Sequence, residues 1–355
     1  MKQSFIYKIF LFVFLLAGCR ATQIQSEEAV QEAALPDDFN GHWARLELPP
    51  EDADLPVTTF REIWAYLIAG REGELKQNFP LSDVGYFGAE LDSYGKLVNV
   101  PDPKKISWFA GRVHLVVTSG SRSLTYFALM EGSNERRELV KDLLEAAKSY
   151  SGIQIDFENI PQRSGDSFLS FLAELRAGLN GKMLTIALPA RTRSLADDVY
   201  DYRKILPLVD RIFVMAYDEH WSTSEPGPIA SMDWCRRVAS YSLDTVGSEK
   251  LIMGLPFYGR TWGDMNPFRA FYHSGIERIK NEQGITEVAR AKGIPYFHYN
   301  TTVKMTVYYE DAYSLSTRLE MYSGMGVAMS GFWCLGQETP SIWSLLNLNP
   351  RYAPE

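Results

Sequence analysis

Residues that build disulfide frameworks and metal centres are scarce in this chain. Its 355 residues include three cysteines and five histidines. Cys19 lies at the end of an N-terminal apolar segment. Two cysteines do not make a disulfide framework, so we predict that Cys235 and Cys334 are buried free thiols; the alternative is that they pair with each other. The histidines are scattered without metal-ligand spacing, so we predict no metal and no cofactor.

Basic stretches are scarce as well. The net charge is −8, and the sequence has no extended basic region of the kind that binds nucleic acid, so we expect no nucleic-acid partner. The composition, 46% hydrophobic and 23% charged, is that of an ordinary globular chain. A single α/β barrel accommodates this length, and we expect a monomer.

The N-terminus has a basic start, then an apolar run over residues 9–17 that is followed by Gly18 and Cys19. The run is well short of the roughly 20 residues of a membrane-spanning helix and is typical of an export signal. Residues 16–19 (LAGC) resemble the lipobox of bacterial lipoproteins, in which the cysteine is lipidated. We therefore predict a signal peptide over 1–18 and a lipid-anchored protein of the bacterial cell envelope. The alternative is an ordinary signal peptide that contains a cysteine.

The composition changes again after the signal. Residues 19–56 are acidic, contain prolines and show little apolar periodicity, so we predict an acidic tether. Over residues 57–355, short apolar runs alternate with amphipathic stretches, which predicts one catalytic domain.

Strand-like and helix-like segments alternate about eight times in this domain. Most strand segments are continuous apolar runs, as expected for parallel strands covered on both faces. The pattern predicts an α/β fold, a (β/α)8 TIM barrel, although spacing alone leaves a doubly wound sheet open. The predicted strands are Glu62–Leu67, Val84–Ala89, Val113–Thr118, Gly152–Phe157, Met183–Leu188, Arg211–Tyr217, Leu251–Pro256 and Gly326–Trp333. The predicted helices are Glu135–Ser149, Ser167–Leu179, Trp234–Tyr241 and Ala312–Tyr322.

The connection after the seventh strand is too long for a simple loop. About 50 residues separate Pro256 from the helix that starts near Asp311, and they include apolar and aromatic segments. We predict a small α+β insertion over about 263–307, on the rim where barrel enzymes build their active sites.

The fourth predicted strand carries three polar side chains on one face, namely Gln154, Asp156 and Glu158. Polar groups on a buried strand are costly unless they are paired or functional, and the C-terminal end of a barrel strand favours function. The two carboxylates lie roughly 6–7 Å apart by strand rise, so mutual repulsion can keep one protonated as a general acid. A structural hydrogen-bonded cluster is the competing interpretation.

Aromatic residues lie at the ends of other predicted strands. Met215 and Tyr217 share a face of the sixth strand, where a phenol can donate a hydrogen bond to a substrate carbonyl. Trp333 ends the eighth strand and can stack on a pyranose ring, and Tyr258 and Arg260 follow the seventh strand near the rim. Core packing explains each aromatic taken singly, but together they line one face of one barrel.

Four segments resemble, in the right order, motifs of glycoside hydrolase family 18. The fourth strand, SGIQIDFE, is similar to the family's Asp-x-x-Asp-x-Asp-x-Glu, and MAYD on the sixth strand is similar to its Met-x-Tyr-Asp. GLPFYGR on the seventh strand and GFW on the eighth are similar too. GFWCLGQETPSIW and YYEDAYSL especially resemble the bacterial branch with spore-cortex and cell-wall lytic N-acetylglucosaminidases.

This resemblance implies a retaining, substrate-assisted hydrolase of β-linked N-acetylglucosamine glycans, in which the substrate's own acetamido oxygen attacks the anomeric carbon. It implies that Glu158 is the acid/base, that Asp156 orients and polarises the acetamido group, and that Tyr217 holds the acetamido carbonyl. The residues predicted to bind substrate are Gln154, Met215, Asp218, Trp333, Tyr66, Tyr258 and Arg260.

Two positions depart from the family's motif, because Ser151 and Gln154 stand where it has aspartates. A glutamine cannot take charge but can hydrogen-bond Asp156, and the loss of a like charge is expected to lower the pKa of Asp156. Ser151 is expected to precede the strand and to weaken hydrogen bonding there.

Two other functions compete with the hydrolase: a non-catalytic, lectin-like envelope lipoprotein that binds N-acetylglucosamine glycans, and a structural envelope lipoprotein. Lectin-like relatives usually lose the acid, so the presence of Glu158 with Asp156 and Tyr217 favours the enzyme. The sequence leaves open peptidoglycan, chitin or N-linked glycan as substrate, and endo or exo cleavage.

Overall fold

The structure, a computed structural model, describes residues 54–263, 269–300 and 304–352. The predicted signal peptide over 1–18, the lipidation site Cys19 and the tether up to residue 53 lie outside the described residues. Within the described ranges, no helix is long and apolar enough to cross a membrane.

Sixteen strands and seven α-helices are found in the described residues. The strands are β1 (Thr58–Phe60), β2 (Glu62–Ile68), β3 (Asp83–Leu91), β4 (Leu97–Val98), β5 (Arg112–Thr118), β6 (Gly152–Asp156), β7 (Met183–Pro189), β8 (Arg211–Met215), β9 (Leu251–Pro256), β10 (Gly259–Gly263), β11 (Arg269–Phe271), β12 (Ala289–Ala291), β13 (Ile294–Asn300), β14 (Lys304–Tyr308), β15 (Met329–Trp333) and β16 (Leu346–Leu348). The helices are α1 (Arg122–Leu129), α2 (Asn134–Ala147), α3 (Gly165–Gly178), α4 (Tyr202–Ile205), α5 (Met232–Val246), α6 (His273–Gln283) and α7 (Ala312–Gly324).

Eight parallel strands close into a barrel, in the order β2, β3, β5, β6, β7, β8, β9 and β15. Because β2 pairs with both β3 and β15, the sheet closes on itself and is not doubly wound. The (β/α)8 prediction is confirmed, and each predicted barrel strand overlaps an observed one. The first and last strands of the described chain, β1 and β16, pair in parallel. The sequence did not indicate this pairing.

The predicted helices are confirmed with shifted ends, and two of them begin at side-chain caps. The Ser133 hydroxyl accepts a hydrogen bond from the amide of Arg136 at the start of α2. Asp311 and Ser314 form a reciprocal capping box at the start of α7. The short helices α1 and α4 were missed, because eight and four residues carry little periodicity.

The predicted insertion after the seventh barrel strand is confirmed and starts earlier than expected, at Gly259. It is a five-stranded antiparallel sheet, in the order β11, β10, β14, β13 and β12, with α6 on one face. Ile276 and Ile279 of α6 pack there on Phe297 and Val307, which gives the insertion its own small apolar core.

Apolar side chains form a separate cluster inside the barrel, distinct from the core between the strands and the outer helices. Phe213 of β8 lies at its centre and is fully buried. A Cβ atom at Gly254 would come within 2.5 Å of the Phe213 ring, and one at Gly331 within 2.3 Å. These two strands therefore require glycine opposite Phe213, and the filled interior supports the residues above it.

Charged residues fill the barrel at the N-terminal ends of its strands. Glu62 accepts hydrogen bonds from Arg211 (2.6 and 3.2 Å) and lies 3.1 Å from Arg112. Burial opposes ionisation of Glu62, but these guanidinium groups lower its pKa to about 2. Asp83 binds Arg112 and the buried His114 at 2.7 and 2.8 Å. This paired network lies at the end of the barrel that is associated with stability.

Candidate active site

The strand β6 places two carboxyl groups at the C-terminal mouth of the barrel. Gln154 and Asp156 point inward and are 0% and 5% exposed, while Ile153 and Ile155 pack in the outer core. The strand ends at Asp156, and Glu158 two residues later reaches solvent. The alternation predicted for this segment therefore produces one buried acid with one exposed acid above it.

These two acids have raised pKa values. Burial and the negative charge of Glu158 raise the pKa of Asp156 to about 8. Partial desolvation and the charge of Asp218 raise the pKa of Glu158. Burial thus raises the pKa of Asp156 even though Gln154 carries no like charge beneath it. Near neutral pH the pair therefore keeps a proton, which Asp156 holds in the absence of substrate.

Gln154 does not make the hydrogen bond that its position suggested. Neither its Oε1 nor its Nε2 has a hydrogen-bond partner among the described residues, and the same is true of Asp156 Oδ1. The predicted Gln154–Asp156 hydrogen bond is therefore wrong for this structure. A buried unsatisfied polar group costs about 1–3 kcal/mol of stability. This layer of the barrel is therefore less stable than a core of paired or apolar side chains. Ser151 precedes β6 as predicted, and its hydroxyl accepts a hydrogen bond of 3.2 Å from the Val113 amide.

Aromatic rings surround the carboxylates. The ring of Tyr66 lies 5.1 Å from that of Trp333 and 5.1 Å from that of Phe213. Burial, and after it the negative charges of the nearby Asp156 and Glu158, raise the pKa of the Tyr66 phenol. Trp333 also packs edge-on against Phe87 at 4.9 Å and precedes a cis peptide bond. Tyr66 and Trp333 are thus brought together with the carboxylates.

The end of the sixth barrel strand contributes two more of the predicted residues. Met215 and Tyr217 both pack in the inner cluster, which confirms that they share a face. Tyr217 lies edge-on against Tyr258, with ring centroids 6.4 Å apart. Burial and neighbouring groups, including Asp156, raise the pKa of Tyr217 well above its usual range. Its phenol therefore stays protonated and can donate a hydrogen bond.

Asp218 links the barrel to the insertion. Its backbone is left-handed (φ 57°), and its Oδ1 accepts hydrogen bonds from the Tyr258 hydroxyl at 2.5 Å and from Arg260 at 2.7 and 3.0 Å. Arg260 belongs to β10, so the first strand of the insertion is held at the mouth of the site. Asp218, Tyr258 and Arg260 were predicted separately as substrate-binding residues, and the structure places them in direct contact.

The insertion also contacts the loops on either side of it. The Trp262 indole donates a hydrogen bond of 3.3 Å to the carbonyl of Trp221, after the sixth barrel strand. The His273 amide donates one of 3.1 Å to the carbonyl of Gln337, after the eighth. Arg71, after the first barrel strand, stacks on the ring of Tyr272 at 4.6 Å. The insertion therefore forms one wall of the site.

Tyr200 was missed at the sequence level, although it touches the segment that carries Glu158. Its hydroxyl donates a hydrogen bond of 2.9 Å to the Phe157 carbonyl and accepts one of 3.1 Å from the Ile160 amide. Its own amide binds Asp198, which Arg191 holds at 2.7 Å. Tyr200 lies in an irregular connection without a motif, so nothing in the sequence pattern marked it.

The described residues contain no group of three or more His, Cys, Asp or Glu side chains that could hold a metal ion. Cys235 and Cys334 are free and buried, as predicted. The site offers two carboxyl groups with raised pKa values, phenol donors and an indole, which together suit binding a sugar and protonating a leaving oxygen.

Comparison with known proteins gives relatives of one kind. The chain is 32% identical over 236 residues to a Bacillus subtilis protein provisionally named sporulation-specific glycosylase YdhD, over 61% of this chain and 55% of that protein. It is 24% identical over 296 residues to the cortical fragment-lytic enzyme of Bacillus anthracis, over 75% of this chain and 67% of the enzyme. The chain thus spans about half the length of YdhD and about two thirds of the lytic enzyme.

A solved structure shows the same fold. The Bacillus cereus spore cortex-lytic enzyme SleL matches with a TM-score of 0.74 and 20% identity, over 82% of this chain and 76% of that one. The family described as "Glycosyl hydrolases family 18" matches residues 82–338, more than half of the chain and all of the barrel from β3 to β15. The chain therefore belongs to glycosyl hydrolases family 18 and is a glycoside hydrolase.

Proposed function

We propose that this protein is a retaining, substrate-assisted hydrolase of β-linked N-acetylglucosamine glycans, of the peptidoglycan or chitin-oligomer type. The observation that carries the proposal is the placement of Asp156, buried and with a raised pKa, beneath Glu158 at the end of one barrel strand. Two carboxyl groups on opposite sides of the sugar serve the usual glycosidase schemes. Asp156 is almost fully buried on the same side as Glu158, so it is poorly placed to attack an anomeric carbon.

In the proposed reaction the substrate supplies the nucleophile. Its 2-acetamido N–H hydrogen-bonds Asp156, while the Tyr217 hydroxyl donates to the acetamido carbonyl oxygen. That oxygen attacks the anomeric carbon as Glu158 protonates the leaving oxygen, and the glycosidic bond breaks. The positive charge of the resulting oxazolinium ring favours the ionised form of Asp156, so the proton of the pair lies on Glu158 when it is needed.

The second half of the reaction restores the protein. Glu158, now ionised, takes a proton from a water molecule that attacks the anomeric carbon from the face that the leaving group occupied. The oxazolinium ring opens, the acetamido group is regenerated and the product keeps the β configuration. Tyr66, Met215, Asp218, Tyr258, Arg260 and Trp333 shape the site around the reacting sugar, and Gln154 lies beneath it.

The relatives guide the choice of glycan. They include cortical fragment-lytic and spore cortex-lytic enzymes, and this chain's motifs resemble the branch with spore-cortex and cell-wall lytic enzymes. We therefore rank peptidoglycan fragments before chitin oligomers. We also propose that the protein works at the cell envelope, anchored through a lipid on Cys19. Incorporation of labelled fatty acid into the wild type but not into Cys19→Ala tests the anchor.

Hydrolysis of a chromogenic di-N-acetylchitobioside and of purified peptidoglycan tests the proposed activity. The full chain should turn over at least one of them, and Glu158→Gln should lose at least about a hundredfold, the usual contribution of a general acid. Glu320→Gln, an exposed substitution on α7, is the matched control and should keep full turnover. Equal rates for Glu158→Gln and the control would contradict the assignment of Glu158.

A further inference from the structure

A separate cavity of about 1000 Å³ lies beside the catalytic segment, between α1, the connection after β6 and the connection after β7. Its wall includes Pro161, three residues after Glu158, so at most about 11 Å of extended chain separates the cavity from the acid. All three elements follow the C-terminal ends of neighbouring barrel strands. The cavity therefore lies on the same face of the barrel as the active site.

The wall of this cavity is built across two elements. Arg163, after β6, stacks on the ring of Tyr126 of α1 with its guanidinium carbon 4.4 Å from the ring centroid. Phe127 of α1 lines the cavity too and is 54% exposed. The aromatic rings of α1 thus lie beside the positive charge of Arg163 in the wall of the cavity.

The remaining charges of the wall are of both signs. Arg122, Arg163 and Lys204 are exposed there and make no ion pair with any described residue. Asp166 and Asp197 are likewise exposed and unpaired within the described residues. Asp198, in contrast, is already neutralised by Arg191. The cavity therefore offers cations and anions that are not compensated by the protein itself.

A neutral sugar does not need a cavity wall with unpaired charges of both signs. Sites for neutral ligands are mostly apolar, with few polar groups that fix orientation. Unpaired charges of both signs, together with exposed aromatic rings, suit a ligand that carries carboxylates and an ammonium group. The volume is also at the upper end of small-ligand sites, enough for several amino-acid residues.

We propose that this cavity binds the short peptide that is attached to the glycan substrate, with Arg122, Arg163 and Lys204 toward its carboxylates and Asp166 and Asp197 toward its amine. The inference rests on the proposed function and narrows it, because a peptide-bearing glycan is peptidoglycan and not chitin. Binding of the peptide adds affinity next to the scissile bond. The protein should therefore prefer a glycan whose peptides are intact.

The test compares soluble peptidoglycan fragments with intact peptides and the same fragments after the peptides have been removed by an amidase. Wild type should have a kcat/KM roughly tenfold higher for the intact fragments, the size of one or two charge-assisted hydrogen bonds. Arg122→Ala/Lys204→Ala, which leaves the Arg163–Tyr126 stack in place, should lose most of that preference. Its turnover of the chromogenic chitobioside should stay within twofold of wild type.

A matched control removes two exposed cations elsewhere. Lys96→Ala/Arg236→Ala changes the net charge equally, on β3–β4 and α5, and should keep the preference. Equal kcat/KM of wild type for intact and stripped fragments would overturn the proposal, and so would an unchanged preference in the cavity variant.

A binding measurement separates this proposal from the proposed function. Calorimetry with a purified disaccharide-peptide should give a dissociation constant that weakens in Arg122→Ala/Lys204→Ala and not in the control. If the protein hydrolyses nothing but shows this binding difference, the proposed function fails and the cavity proposal stands. If it hydrolyses chitobioside and binds the disaccharide-peptide no better than the disaccharide, the cavity proposal fails alone.

Discussion

The hydroxyl of Tyr200 donates a hydrogen bond of 2.9 Å to the carbonyl of Phe157, the residue directly before Glu158. The same hydroxyl accepts a hydrogen bond from the Ile160 amide, so one oxygen holds the backbone on both sides of Glu158 and Asn159. Tyr200 is therefore a positioning residue, which touches neither the substrate nor the reacting atoms.

Tyr200→Phe should lower kcat about tenfold and change KM little, because the ring remains and only the two hydrogen bonds are lost. Each backbone group left unsatisfied costs about 1–3 kcal/mol, so the variant should also unfold more easily. Steady-state kinetics and thermal unfolding measure the two effects. Tyr202→Phe is the control, since it removes a buried hydroxyl that binds the Pro189 carbonyl at 2.7 Å. Equal falls in kcat for both variants would contradict a specific role for Tyr200.

The raised pKa of Asp156 predicts how the stability of the folded protein depends on pH, independently of catalysis. An unfolded chain releases this proton near pH 3.8, whereas the folded protein keeps it up to about pH 8. The folded state therefore binds more protons over this window, and wild type loses stability as the pH rises through it. Asparagine cannot titrate, so Asp156→Asn should become more stable relative to wild type between about pH 4 and 8 and level off above.

Denaturant unfolding of wild type and Asp156→Asn at several pH values measures this difference in the free energy of unfolding. Its slope should approach the 1.4 kcal/mol per pH unit of a single proton. The same variant should be inactive, while kcat/KM of wild type should fall above about pH 8, where Asp156 loses its proton. A stability difference that does not change with pH would show that Asp156 titrates normally.

Arg260 should affect the reaction through Asp218. Arg260→Ala removes two of the hydrogen bonds to Asp218 Oδ1 and leaves the carboxylate charge uncompensated. Since the charge of Asp218 raises the pKa of Glu158, this variant should move the acid limb of the pH–rate profile to higher pH. Arg203→Ala, which breaks an exposed ion pair with Asp244, is expected to leave the limb unchanged. An acid limb at the same pH in both variants would show that Arg260 does not affect Glu158 through Asp218.

The barrel interior limits which substitutions the site tolerates. Gly331→Ala places a Cβ atom 2.3 Å from the Phe213 ring, which packs against Tyr66 at 5.1 Å. Overpacking of this kind costs about 1–3 kcal/mol and should displace the rings beneath the site, so both the melting temperature and kcat/KM should fall. Gly324→Ala meets nothing within 4 Å and should not destabilise the protein. A melting temperature of Gly331→Ala equal to wild type would show that the interior can relax.

The sequence predicted the barrel because buried parallel strands and amphipathic helices have different periods. It also predicted which residues meet at the mouth, since strand alternation fixes the direction of Gln154, Asp156, Met215 and Tyr217. It did not predict the pKa of Asp156, which depends on how deeply the fold buries the side chain. Tyr200 and the cavity beside α1 were missed because they depend on loop conformations that no periodicity encodes.

The measurement that tests substrate assistance most directly is kcat/KM for chromogenic glycosides whose 2-acetamido group carries zero, one, two or three fluorine atoms. Fluorine withdraws electrons from the acetamido oxygen and makes it a weaker nucleophile. If that oxygen attacks the anomeric carbon, kcat/KM should fall steeply with each added fluorine, in wild type and in Tyr202→Phe alike. A kcat/KM that does not depend on fluorination would contradict the mechanism and assign the attack to a side chain or to water.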